Sequence, residues 1–251
     1  MPKEEVLTQN SLGGLIIQTV QEVPDFINIL IYGNPGSGKT VLSGSADAVP
    51  EMRKVLFIDV EGGTYSLRKR YPDIDVVRVQ SWIDMMNVYS ELYAMKHDYS
   101  TVVLDSVTEM QKFSMNDIMR KVLEEYPDRD PEVPSVREWG KNIEQIRRLV
   151  RAFRDLPMNT IITALAATDK DAMTGKIVTR PSLSGKLAME VGGFVDIVGY
   201  QYTKMVDGEL TRLLLTSGTD KEVAKDRTDS LPAVLENPTM QTIYNHTKEL
   251  T

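Results

Sequence analysis

Two kinds of apolar patterning alternate along this chain. Short, almost unbroken apolar runs at 27–32, 54–59, 75–79, 101–105, 160–164, 196–202 and 210–216 predict strands. Between them, 39–46, 82–95, 107–125 and 135–156 carry apolar residues at helical spacing. The clearest is 135–156, with Val136, Trp139, Ile143, Ile146, Val150 and Phe153 at three- and four-residue steps. In 82–95 the stripe is Trp82, Met85, Met86, Val88, Tyr89, Leu92 and Met95, which is expected to face the core. Strands alternating with helices of this length predict βαβ crossovers and a mainly parallel sheet covered by helices on both faces. The last two runs are joined by Val206-Asp207-Gly208-Glu209, where Asp-Gly is a strong hairpin signal. The sheet is therefore expected to end in antiparallel strands towards the C-terminal end.

Residues 1–24 stand outside this layered pattern as an N-terminal arm, and 25–251 form the expected α/β core. Within the arm, the β-prone run 15–20 is cut off from the first core strand by Pro24. Such a strand covers its own domain's edge or adds to a neighbour's, and self-covering is the expectation here.

Charge and composition narrow the chemistry. Lys and Arg number 29 against 36 Asp and Glu, a formal net charge of −7, which argues against a general nucleic-acid-coating surface but not against a local basic loop. There is no cysteine, which excludes disulfides, thiolate catalysis and a cysteine-based zinc site. Met1-Pro2-Lys3-Glu4-Glu5 has no apolar segment of signal-peptide type, and no run reaches membrane-spanning length, so a cytoplasmic location is expected. His97 and His246 have no partners at metal-ligand spacing and read as surface residues.

The run 27–32 leads directly into Gly33-Asn34-Pro35-Gly36-Ser37-Gly38-Lys39-Thr40, a full match to G-x-x-x-x-G-K-[ST] between a strand and a helix. Glycines let successive backbone N–H groups turn inward onto phosphate oxygens, and the helix starting near Lys39 adds its positive end. Lys39 is expected to reach the β/γ-phosphates of ATP and the Thr40 hydroxyl to ligate Mg²⁺. A second oxygen ligand is expected from Thr101-Val102-Val103-Leu104-Asp105-Ser106, a strand that delivers the Asp105 carboxylate to the same edge of the sheet. Hydrolysis also needs a group to orient water. Ser106 follows Asp105, so the carboxylate must come from elsewhere: Glu109, one helical turn on, or Glu61, which leaves the strand 54–59 and precedes Gly62-Gly63. Glu61 is favoured because the glycines let backbone approach a nucleotide. Tyr65 is a candidate to stack on adenine or, equally, to pack on the sheet.

Three stretches in order, Phe57-Ile58-Asp59-Val60-Glu61, Val102-Val103-Leu104-Asp105-Ser106-Val107 and Val223-Ala224-Lys225-Asp226-Arg227, resemble signatures of RecA-like ATPases. Over 25–232 the layout most resembles the short phage RecA-like proteins of the Sak-four group, which are nucleotide-binding or single-strand annealing proteins. The resemblance implies a RecA-like P-loop NTPase core and ATP hydrolysis between subunits of a homo-oligomer, in a ring or filament. It also implies action on single-stranded DNA in recombination or annealing, in the cytoplasm of a bacterial host. Glu61 then activates the attacking water, and Lys225 and Arg227 resemble fingers that reach the γ-phosphate held by an adjacent subunit. The segment 168–186, with Lys170, Lys176, Arg180 and Lys186, resembles the second DNA loop. It has no aromatic residue to stack on bases, leaving Met173 or Ile177 as the apolar wedge, and an ordinary hairpin around Thr174-Gly175 is the competing reading. The acidic, proline-rich stretch 126–134 occupies the place of the first DNA loop. One feature departs from the family. The strand 160–163 usually leads to a Gln or His that senses the γ-phosphate, and here Ala164-Leu165-Ala166-Ala167-Thr168 follows, with Thr163 or Thr168 as hydroxyl substitutes. A nucleotide-gated assembly or loading module, working on a single-strand-binding or other replication protein, is the alternative function.

Overall fold

A computed structural model of the chain describes residues 11–23, 25–170 and 175–248. Its centre is a ten-stranded sheet. The strands in chain order are β3 (Asn28–Gly33), β4 (Val55–Asp59), β5 (Asp75–Arg78), β6 (Thr101–Asp105), β7 (Asn159–Lys170), β8 (Ile177–Pro181), β9 (Ile197–Val206), β10 (Glu209–Leu215), β11 (Lys225–Asp226) and β12 (Val234–Glu236). Two short strands precede them, β1 (Ser11–Leu12) and β2 (Leu15–Ile16). The helices are α1 (Lys39–Gly44), α2 (Trp82–Tyr93), α3 (Val107–Glu125), α4 (Val136–Arg154), α5 (Leu187–Glu190) and α6 (Met240–Lys248).

The sheet order is β12-β10-β9-β3-β7-β6-β4-β5, with β11 beside β9 and β8 beside β7. From β9 through β5 the neighbours are parallel, and β8, β10, β11 and β12 pair antiparallel. This is a RecA-like P-loop core, with β7 inserted between the strand that feeds the glycine-rich loop and the strand that ends in Asp105. Because β3, β4 and β6 run parallel, their C-terminal ends all deliver residues to one edge.

Each central strand is buried on both faces, and its side chains sort by the two-residue period. Leu30, Tyr32, Ile58, Val102 and Leu104 join the layer shared with Met110, Ile146, Val150 and Phe153 of α3 and α4. Ile29, Ile31, Phe57 and Val103 join the opposite layer with Leu42 of α1 and Met240 and Ile243 of α6. The α4 start is set by a capping box, in which the Ser135 hydroxyl and the Glu138 carboxylate each close on the other's backbone. Glu138 is also held by Arg129, at 3.2 Å.

Several expected boundaries move. Helix 39–46 stops at Gly44 and tightens into a 3₁₀ turn at Ser45–Ala48. There the Ser45 hydroxyl donates to the Leu42 carbonyl and accepts from the Met240 N–H, drawing the chain off the helical path. Strand 160–164 extends to Lys170, because beyond the sheet it finds a new partner in β8. The apolar stripes are narrower than their sequence pattern. Val136, Trp139, Met86 and Met95 are exposed, while Met85, Leu92, Ile146, Val150 and Phe153 carry the burial. The described part of the arm does not cover the core: β1 pairs with β2, and residues 11–23 are exposed throughout. No helix among the described residues is long and apolar enough to cross a membrane.

Candidate functional site

The glycine-rich turn leaves β3 at Gly33 and enters α1 at Lys39. A Cβ on Gly33 would lie 2.1 Å from the Gln201 carbonyl oxygen, so only glycine fits against β9. Gly36 and Gly38 have φ of 78° and 102°, the left-handed geometry that turns consecutive amides the same way. The Ser37 hydroxyl is buried without a partner among the described residues. Lys39 is only 7% exposed, and its ammonium donates to the carbonyls of Gly33 and Asn34 at 3.0 and 3.2 Å. Burial lowers its pKa, while Asp105 and Glu61 nearby pull in the opposite direction.

Asp105, 2% exposed at the end of β6, is the hub of the site. Its Oδ2 accepts from Thr40 Oγ1 at 2.8 Å, and its Oδ1 accepts from Thr163 Oγ1 on β7. Burial pushes its carboxyl pKa up, against the lowering effect of those two hydroxyls. Next along the chain, the Ser106 hydroxyl donates to Glu61 Oε1, fixing the carboxylate that leaves β4. The turn carrying Glu61 is held from below, where Asp59 Oδ1 accepts the N–H groups of Gly62 and Gly63 at 2.7 and 3.1 Å. Glu109, the other candidate, instead pairs with Lys112 on its own helix at 2.6 Å.

These groups match ATP with Mg²⁺ in chemistry. The cradle excludes a Cβ at Gly33, the buried cation Lys39 lies along it, and the hydroxyl and carboxylate of Thr40 and Asp105 are hard oxygen donors. Among the described residues no group of three or more His, Asp or Glu side chains forms a metal cage. A hydroxyl–carboxylate pair beside a phosphate cradle is the arrangement in which phosphate oxygens and water complete the magnesium shell.

Residues that the sequence did not single out complete the surroundings. A cavity of about 250 Å³ beside α1 is lined by Gly38, Val41, Tyr71, Gln201, Arg212 and the turn 237–239, among others. Strand pairing brings them together from β9, β10 and the segment after β12, so no local motif announces them. Tyr65 is not part of this wall. It is 77% exposed with Arg68 stacked on its ring at 5.1 Å, because the 3₁₀ turn Thr64–Leu67 buries Leu67 and turns Tyr65 outward. Tyr71, six residues on, lines the cavity instead.

The remaining expected residues lie apart from the loop. Lys225 sits on β11, whose partners are Val198 and Ile197 at the start of β9, the end of the sheet opposite Gly33. Its ammonium donates to the carbonyls of Gly192 and Val195 at 2.6 and 2.7 Å, and burial lowers its pKa. Arg227 pairs with Asp196 at 2.8 Å and donates to the Gly193 carbonyl at 3.2 Å. Within the described part of 168–186, β7 and β8 pair antiparallel up to Lys170 and Ile177, as in the competing hairpin reading. On it Arg180 pairs with Asp169 at 3.1 Å and Lys176 with Asp220 at 3.6 Å. Lys170 and Lys186 are exposed, whereas Asp171, Met173 and Thr174 lie outside the described residues. Thr168 meets Thr179 across the hairpin, so Thr163 is the hydroxyl that reaches Asp105. The hairpin is tied to the glycine-rich loop through Tyr32, whose hydroxyl donates to the Val223 carbonyl at 2.7 Å with the Thr179 carbonyl at 3.1 Å.

No curated protein matches the chain. Among solved structures it is similar to the KaiC-like protein PH0186 from Pyrococcus horikoshii OT3, at 16% identity over 75% of this chain and 77% of that one, with a TM-score of 0.45. It is also similar to the flagellar accessory protein FlaH from Methanocaldococcus jannaschii, at 13% identity over 81% and 80%, with a TM-score of 0.43. A family model described as an AAA domain matches residues 25–228, a span that holds Lys39, Glu61, Asp105 and Arg227. The chain belongs to this AAA domain family of P-loop ATPases.

Proposed function

We propose that the chain hydrolyses ATP between subunits of a homo-oligomer and acts on single-stranded DNA in recombination or annealing, as a member of the Sak-four type. The observation that carries the ATPase part is the connected set Thr40–Asp105–Thr163 with Glu61 fixed by Ser106. Lys39 leaves its loop carbonyls to meet the β/γ-phosphates, and backbone N–H groups of the loop cradle them. Thr40 and Asp105 would hold Mg²⁺, which when bound would neutralise charge on the phosphate oxygens. Glu61, oriented by the Ser106 hydroxyl, accepts the proton of the attacking water.

Assembly follows from where the cations lie. β3 spans six residues, about 20 Å at strand rise, and Arg227 lies at the far end of that span from Gly33. The nucleotide within its reach is one held by a neighbour. Arg227, on the surface, is the finger, whereas Lys225 spends its donors on two backbone carbonyls and positions the segment that carries it. The exposed residues 11–23 of the expected N-terminal arm are available to other chains. DNA contact is assigned to the β7–β8 hairpin and the segment after it, with Lys170, Lys176, Arg180 and Lys186 meeting phosphates. Tyr32, through the Thr179 carbonyl, links that hairpin to the strand that feeds the phosphate loop.

A second reading has an observation of its own. Arg180 and Lys176 both face carboxylates, which weakens the hairpin as a phosphate surface. In that reading ATP gates assembly, and the partner is a single-strand-binding or other replication protein in the cytoplasm. Steady-state ATP hydrolysis with and without a single-stranded oligonucleotide, with Lys39→Ala as the blank, separates the two. Stimulation absent from the blank supports DNA action. Slow hydrolysis indifferent to the oligonucleotide supports the assembly module.

A further inference from the structure

The cavity beside α1 differs in charge from the rest of the molecule. In a chain of net charge −7, its lining includes two arginines, Arg70 and Arg212, and no carboxylate. Arg212, on β10, lies across the phosphate loop: a Cβ on Gly38 would be 2.8 Å from its Nε. That Nε is buried and has no hydrogen-bond partner among the described residues, and Arg212 enters no ion pair among them. On the adjacent strand β9, Gln201 is 1% exposed, and its carboxamide oxygen is likewise unpartnered among the described residues. The backbone of Arg212 is firmly placed, since its carbonyl accepts the Asn237 N–H at 2.7 Å and its N–H faces Asn237 Oδ1 at 3.4 Å. Arg212 as a whole is half-buried, and a buried guanidinium Nε without an acceptor is costly unless an anion meets it, while the planar donor fork matches a phosphate.

Resting on the nucleotide reading above, we propose that Arg212 is a nucleotide-binding residue acting within its own subunit: across Gly38, its guanidinium takes a phosphate oxygen of the nucleotide held by the loop. The position explains which part of the ligand it meets. Val41 and Gly38 line the cavity, so Arg212 addresses the phosphates from the α1 side, opposite the side where Asp105 on β6 and Glu61 on the turn after β4 lie. It therefore holds ATP and ADP alike. The turn 237–239, bonded to Arg212 and lining the same cavity, is fixed by the same contact, which ties nucleotide occupancy to the start of α6.

The test is equilibrium binding of fluorescent ATP and ADP analogues to the wild-type chain, Lys39→Ala, Arg212→Ala, Arg212→Gln and Arg212→Lys, with thermal melting of each nucleotide-free protein. The expected result is that Arg212→Ala and Arg212→Gln weaken both nucleotides by about 10- to 100-fold. Arg212→Lys recovers part of the loss by restoring the charge, and the melting temperature of Arg212→Gln stays at the wild-type value. If Arg212→Ala does not fold, the Gln and Lys variants carry the comparison. Wild-type binding that is lost in Lys39→Ala yet unchanged in the Arg212 variants overturns this inference alone. A wild-type chain that binds neither nucleotide overturns the proposed function and this inference together.

Discussion

Two groups of charged side chains occupy opposite ends of the same parallel strands, and they are held in different ways. At the carboxyl end, Thr40, Asp105 and Thr163 bond to one another through side chains, and Ser106 does the same with Glu61. None of these bonds is needed to satisfy the sheet's backbone. At the amino end, Lys225 caps the carbonyls of Gly192 and Val195, while Asp196 accepts the Asn28 N–H and pairs with Arg227. Those bonds hold the backbone that leads into β3 and β9. A side-chain network that the fold does not require is arranged for a ligand, whereas a cation engaged with backbone carbonyls has a structural duty first. Substitutions at the two ends should therefore separate loss of chemistry from loss of stability.

The largest effect is expected from Lys39→Ala, which removes the buried cation from the loop: nucleotide binding is lost and turnover falls by about 10³-fold, read by equilibrium binding and phosphate release. Arg227→Ala should lower turnover of the assembled protein by a comparable factor, about 10³-fold, with nucleotide affinity near normal. Unchanged turnover there would return Arg227 to a purely local ion pair with Asp196. Glu61→Gln keeps the size and the Ser106 contact but not the base, so turnover should drop about 10²-fold while ATP still binds. Lys225→Met tests the structural duty at the amino end. It should reduce unfolding stability by about 1 kcal/mol in a denaturant titration, as two carbonyls lose their donor. The smallest effect lies away from both ends. Bonds from Arg129 and Ser135 lower the Glu138 pKa to about 2. A depressed carboxylate contributes stability above its unfolded pKa, about 4.3, and the contribution fades as pH falls towards 2. Glu138→Gln should thus melt below wild type at pH 7, with the gap closing between pH 4 and 2; a gap independent of pH would assign the loss to packing.

What the sequence reveals divides along similar lines. Local patterns expose the strand–loop–helix at Gly33–Thr40, the strand ending at Asp105, and α3 at its observed bounds, because each is specified by consecutive residues. Glu61, favoured over Glu109 for the glycines beside it, lies against Ser106, and Glu109 pairs with Lys112 on its own helix. The cavity wall is not legible in this way. Gln201 and Arg212 meet Gly38 only because β9 and β10 stack beside β3, and neither sits in a recognisable spacing. Tyr65 is turned outward by its 3₁₀ turn, and Tyr71, which no local spacing marks, lines the cavity. α6 escapes the periodicity because only Met240 and Ile243 of its nine residues are buried. The hairpin after Ala164 is legible only as the competing reading of 168–186, because its alternation of Ala, Thr and charged residues beyond the sheet gives a weak strand signal.

The comparison between the two ends has one direct test, a mixing experiment. Lys39→Ala lacks a working loop but keeps Arg227, and Arg227→Ala lacks the finger but keeps the loop. If ATP is hydrolysed between subunits, each variant alone is inactive. Their equimolar mixture should then recover roughly a quarter of wild-type turnover, since half the subunits bring an intact loop and half of their neighbours an intact finger. A mixture no more active than the two variants measured apart would contradict an active site shared between neighbours.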